Sequence, residues 1–153
     1  MAARIPQAHL DAWRGVLNAH AAVVERAERE LAEAGLPPLA WYDVLWAVRR
    51  APGRRARMAE LAEGLTVSRG GLTKLADRLQ GAGLLRREAA DDDGRGVYAA
   101  ITEDGEVMLR RMWGVYSRVL RETIVDAVDA AEAGTIAAGL ERTLRLARDG
   151  ART

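Results

Sequence analysis

A chain of 153 residues with 49% hydrophobic and 29% charged side chains has the size of one domain, or of one small domain with added dimerisation helices. With no cysteine and two histidines it excludes disulfides, thiolate zinc sites and thiol redox switches, and leaves little for a histidine-based metal or catalytic site. The net charge of +1 is unevenly spread: Arg49 to Arg95 holds 11 Lys/Arg against 7 Asp/Glu, and the remainder 12 against 15, which suits a basic binding segment on near-neutral or acidic helices.

From Gln7 to Ala34, apolar residues recur at Leu10, Trp13, Leu17, Val24, Ala27 and Leu31. Spacings of three, four and seven predict one long helix with a single apolar stripe. Arg14, Glu25, Arg26, Glu28, Arg29 and Glu30 form its charged face, and Gly35 with Pro37-Pro38 should end it. A long helix with an apolar seam and no evident partner in its own chain often pairs with another subunit. A second helix, aromatic-rich, is expected from Leu39 to Arg50 and is stopped by Pro52-Gly53. Arg54, Arg55 and Arg57 are placed in the loop that follows.

The run from Met58 to Glu88 reads as a short helix, a tight connection, a second helix and a glycine-punctuated exit into strand-like sequence. Met58, Leu61, Ala62 and Leu65 should face inward on the first helix, and Val67, Leu72, Leu75, Ala76 and Leu79 on the second. Ser68 is placed to cap the second helix. Gly70 and Gly71 cost about 1 kcal/mol each relative to alanine in a helix, but they let the backbone come close to a phosphate or base. Ser68, Arg69, Thr73 and Lys74 then sit on the first turns, where side chains of a groove-entering helix read DNA. Arg78 is a phosphate contact or a partner for Asp77. Leu84 to Glu88 and Val97 to Ile101 predict a β-hairpin whose tip, Asp91-Asp92-Asp93-Gly94-Arg95-Gly96, presents Arg95 on a glycine-flanked base.

Thr102 can cap a long helix that keeps its period to about Ala127, with Glu103 and Asp104 in the first turn. Asp129 and Glu132 have capping-box spacing and open a last helix, with Ile136, Leu140, Leu144 and Ala147 on its apolar face. The fold class is therefore mainly α with a small β part (α+β). A winged helix–turn–helix at residues 39–102 lies between dimerisation helices at 7–34 and 103–148.

The order of elements and several strings resemble the MarR (multiple antibiotic resistance regulator) family of bacterial winged-helix transcription factors. The strings are Leu39-Ala40-Trp41-Tyr42-Asp43-Val44-Leu45, Met58-Ala59-Glu60-Leu61-Ala62, Val67 to Leu79, and Asp93-Gly94-Arg95-Gly96-Val97-Tyr98-Ala99 with Ile101-Thr102. The resemblance runs from about Ala12 to Leu144. It implies a homodimer with interlocking terminal helices, Val67 to Gln80 in the major groove of a pseudo-palindromic duplex, and Arg95 in the minor groove with Asp93 orienting it. A minor groove narrowed by A·T tracts attracts such an arginine through its negative potential. The sequence departs from the family at Thr66, where glycine is usual in the helix–helix turn, and at Gly94-Arg95, where two arginines are common.

The resemblance also implies a repressor released by a small aromatic or amphipathic ligand. Trp13, His20, Trp41, Tyr42, Trp46 and Trp113 are the candidate pocket residues, although aromatics at helical spacing are more often core. No cofactor or metal is expected: the acidic wing tip lacks a Glu clamp for a hard cation. His9 and His20 stand about 16 Å apart along one helix and cannot share an ion. No apolar stretch approaches the roughly 20 residues of a membrane span and no signal-peptide pattern is present, so the expected place is the cytoplasm. Two other functions compete: a winged-helix dimerisation or protein-interaction module without DNA binding, and an enzyme. The enzyme is opposed by the missing cysteine, the few histidines and the lack of a phosphate-binding glycine loop.

Overall fold

The computed structural model describes residues 4–65, 69–89 and 96–150. In chain order these form α1 (Gln7–Glu33), α2 (Leu39–Arg50), a 3-10 turn at Pro52–Arg54, β1 (Arg55–Arg57), α3 (Met58–Gly64), α4 (Arg69–Gly81), β2 (Leu85–Ala89), β3 (Val97–Ile101), α5 (Glu103–Leu120), a π turn at Arg121–Val125 and α6 (Ala130–Asp149). The chain divides into two units, Met1–Tyr116 and Ser117–Thr153, with the boundary inside α5.

The first unit is built on α2. Leu39, Val44, Leu45 and Val48 are buried with Leu31 of α1, Leu61 of α3, Leu72, Ala76 and Leu79 of α4, and Leu109 and Met112 of α5. Pro38 precedes α2 and has no side-chain acceptor, so the cap comes from elsewhere: the Leu39 N–H donates to the Glu28 carboxylate of α1 at 3.0 Å. Gly35 and Gly83 (φ +66 and +73) close α1 and α4 in the same way. In each, the next N–H reaches back into the last turn, Leu36 to Leu31 and Leu84 to Leu79, both at 2.9 Å.

The sheet has the order β1-β3-β2, antiparallel throughout. The hairpin strands fall within one residue of the expected ones. The arginine-rich loop does not: Arg55 to Arg57 form β1, paired Arg55 with Ala100, Ala56 with Ala99 and Arg57 with Tyr98. Three residues are too few for a period-2 signal, and pairing with β3, about forty residues later, makes the strand. On the outer face the guanidinium groups of Arg55 and Arg57 lie 4.8 and 5.3 Å from the Tyr98 ring centre, and Arg57 Nε donates to the Tyr98 hydroxyl at 3.1 Å. Glu88, opposite Tyr98, takes Arg86 at 2.8 Å and Arg55 at 3.4 Å. Arg86 above all, then Arg55, holds its carboxyl below the ordinary value.

At the start of α5, Thr102 caps as expected, its hydroxyl accepting from the Gly105 N–H at 3.0 Å while donating to the Gly83 carbonyl at 2.7 Å. Glu106, one residue on, gathers Arg49 at 2.9 Å, Arg54 at 3.4 Å and Arg110 at 3.9 Å. Arg54 adopts φ +55, a left-handed backbone that a non-glycine residue takes at a cost, and its ion pair to Glu106 ties that corner to α5.

In the second unit the helical run expected to about Ala127 continues without a gap through Val125, but its last turn is wound as a π turn. The Asp126 N–H donates to the carbonyl of Arg121 at 3.0 Å, the i to i−5 spacing of a π turn. Thr123 there bonds back to the Val119 carbonyl at 2.6 Å. The capping box is present: Asp129 accepts from Ala131 and Glu132 N–H at 2.8 and 2.9 Å, and Glu132 accepts from the Asp129 N–H at 3.0 Å. α6 buries none of its residues, and Ile136, Leu140 and Leu144 are 50, 43 and 51% exposed. No described helix is long and apolar enough to cross a membrane.

Candidate nucleic-acid interface

α4 is two-faced. Leu72, Ala76 and Leu79 are buried, while Gly70, Thr73, Lys74, Asp77 and Arg78 are exposed. These exposed positions recur at three and four residues, so they form one outward strip along the helix. Arg69 opens the helix, and its side chain lies outside the described residues, as do Thr66, Val67, Ser68, Asp93 and Arg95. A Cβ added at Gly70 would meet nothing within 4 Å. The fold therefore makes no demand for glycine there, and a close approach by something outside the chain remains a reason for it.

The expected alternative partner for Arg78 is not the one found. Asp77 pairs with Arg87 of β2, Nη2 to Oδ1 at 2.6 Å, because neighbours one apart on a helix diverge by about 100° while β2 runs beside α4. Arg87 was legible only in part: it lies two residues after buried Leu85, on the same face of the strand, but nothing in the sequence names its partner. Beside this pair lies an open cleft of about 530 Å³ lined by Arg57, Met58, Thr73, Arg87, Gly96 and Val97, among others.

The candidate pocket residues separate. Tyr42 lies near-parallel to Trp46 and to Trp113, centre to centre 6.2 and 6.0 Å, and edge-on to Tyr116 at 5.3 Å. Tyr42 is buried, while Trp46 and Trp113 are 39 and 47% exposed. Tyr116 completes the cluster, though as part of the apolar period of α5 it carried no separate signal. Among the described residues no ring contact links Trp13 or Trp41 to this cluster, and Trp13 and His20 are exposed on α1. Burial, then the neighbouring Tyr116 and Asp43, pushes the Tyr42 hydroxyl up to about 12. Burial, then the charge of Glu28, raises Asp43. Burial, then Asp43, raises Tyr116. Arg49 and Arg50 each place a guanidinium 5.8 Å from the Trp46 ring centre.

Residues 34–96 match the model of the MarR family. No curated protein matches the chain. Among solved structures the chain is similar to AbsC, a MarR family transcriptional regulator from Streptomyces coelicolor, at 24% identity and a TM-score of 0.85, over 97% of this chain and 99% of that one. Sco3205, a MarR family transcriptional regulator of the same organism solved in complex with DNA, gives 25% identity and a TM-score of 0.81 over 98% and 91%. Bordetella bronchiseptica BpsR, whose DNA binding is regulated by 6-hydroxynicotinic acid, gives 17% and 0.73 over 87% and 98%.

Proposed function

We propose that the chain is a DNA-binding transcriptional regulator of the MarR family, a reading supported by the match of residues 34–96 to that family's model, and that it acts in the cytoplasm as a homodimeric repressor of a pseudo-palindromic operator. The observation that carries this reading is the outward strip on α4. Gly70, Thr73, Lys74 and Arg78 stand open on one face of a helix whose other face is fixed in the core. Each subunit presents that strip to a major groove, with Arg69 and Ser68 at its leading end and Arg95, oriented by Asp93, in the adjacent minor groove. The dimer helices are α1 and α6, each with an apolar row left open: Trp13 and Leu17 on the first, Ile136, Leu140 and Leu144 on the second. The DNA complex of Sco3205 supports the first part of this reading.

Two substitutions test it. Arg95→Ala is expected to weaken operator binding several-fold or more while the dimer persists. Gly70→Ala is expected to leave folding unchanged or slightly improved, since alanine is the better helix former by up to about 1 kcal/mol and has room, yet to weaken DNA binding. Anisotropy titrations with unchanged affinity for both variants would remove these contacts.

The effector belongs to the ring cluster. We assign a small aromatic or amphipathic ligand to Tyr42, Trp46, Trp113 and Tyr116, with Trp13, His20 and Trp41 joining only in the assembled dimer; BpsR with its hydroxylated aromatic acid is the supporting parallel. Titrating a panel of phenols and hydroxylated aromatic acids should quench tryptophan fluorescence and release DNA. A panel without quenching would count against the site.

A further inference from the structure

We propose that Arg87 is a DNA-backbone contact held in place by Asp77, and that this ion pair fixes Arg87 on the wall of the cleft that α4 shares with β1, the start of α3 and the tip-side end of β3. The proposal rests on reading α4 as the groove-entering helix. Arg87 pairs with Ala99 on the sheet and reaches Asp77 at 2.6 Å, bridging wing and helix. The two side chains are 35 and 54% exposed, and pairs this open contribute only about 0–1 kcal/mol to stability. Stability is therefore a poor reason for the arrangement, and position is a better one.

Asp77 lies one turn beyond Thr73 and Lys74 on the exposed strip. An unpaired carboxylate there would face the phosphates and repel them; Arg87 cancels its charge. A guanidinium has five N–H donors in a rigid fork, and the Asp77 bond occupies one edge of it. Arg87 also lines the cleft of about 530 Å³ together with Thr73, Gly96 and Val97. A DNA strand that follows α4 toward the wing passes this opening, where a phosphate meets both Arg87 and the Thr73 hydroxyl.

The probe is a fluorescent mixed-sequence duplex, titrated with the full-length protein over a range of salt concentrations. Each neutralised phosphate contributes about 0.9 to the slope of log affinity against log salt. Arg87→Gln is expected to lower that slope by about 0.9 per subunit engaged without moving the melting midpoint appreciably. Asp77→Asn is expected to weaken binding, although it removes a negative charge from the DNA-facing side. In the Arg87→Gln background the same change is expected to strengthen binding instead. An unchanged slope for Arg87→Gln, with Lys74→Gln lowering it, overturns the Arg87 contact and spares the reading of α4. Tighter binding by Asp77→Asn alone overturns the positioning role. If Lys74→Gln also leaves the slope unchanged, the reading of α4 fails and the proposal with it.

Discussion

Gly105→Ala is expected to destabilise the protein by about 2 kcal/mol, the usual cost of forcing a methyl group into a packed place, and to lower the thermal midpoint by about 4–8 °C. Gly105 is the third residue of α5, and its N–H is already committed to the Thr102 hydroxyl at 3.0 Å. A Cβ built there would run into the Leu84 carbonyl oxygen, closer than real side chains come, and would press on Ile101 Cγ1 at 2.8 Å. The Leu84 carbonyl cannot retreat freely, because it accepts the Thr102 N–H at 3.1 Å. Either the cap of α5 or the junction of α4 with β2 must open. Alanine's helix propensity returns part of the loss, so the net effect is smaller than the clash alone. Calorimetric melts of the wild type, Gly105→Ala and Gly70→Ala give the comparison: a loss at 105 and none at 70. Equal midpoints would mean that the junction is looser than its geometry indicates.

Leu140→Glu combined with Leu144→Glu is expected to split the proposed dimer and, with it, to abolish tight DNA binding. These side chains are 43 and 51% exposed on α6, in a row with Ile136 at 50%. In an isolated chain the substitutions cost little. Across a two-fold interface they place four carboxylates in an apolar seam, where unpaired charge is strongly disfavoured. A monomeric reader holds one half-site at a time and forfeits the effective concentration that links the two, a loss on the order of 100-fold or more. Light scattering should report the 16.6 kDa of one chain for the variant and twice that for the wild type. A variant that keeps the doubled mass would move the interface away from α6.

Much of this architecture is legible in single residues. Pro37-Pro38 and Pro52-Gly53 bracket α2, and it spans Leu39–Arg50 as read from them, because proline and glycine act locally. Thr102 and Asp129 announce their helices for the same reason: a cap needs only the next three residues. What the sequence hides depends on distant partners. β1 exists because β3 pairs with it, Glu28 caps a helix eleven residues away, and Asp77 meets Arg87 rather than Arg78. The pocket list shows the same limit. Helical period collected Trp13, Trp41, Tyr42, Trp46 and Trp113, but only packing decides that Tyr42 joins Trp46, Trp113 and Tyr116 in one cluster. The roles given to Ser68, Arg69, Asp93 and Arg95 still rest on the sequence, since those side chains lie outside the described residues.

The decisive measurement is a binding titration on an inverted repeat taken from the DNA flanking the gene, with a scrambled duplex of equal length beside it. A two-fold reader should saturate at two chains per duplex, with a dissociation constant of about 10⁻⁸–10⁻¹¹ M at physiological salt and an affinity that falls steeply as salt rises. Binding that is absent even at low salt, or no tighter on the repeat than on the scrambled duplex, would contradict it and leave a winged helix that meets other proteins instead.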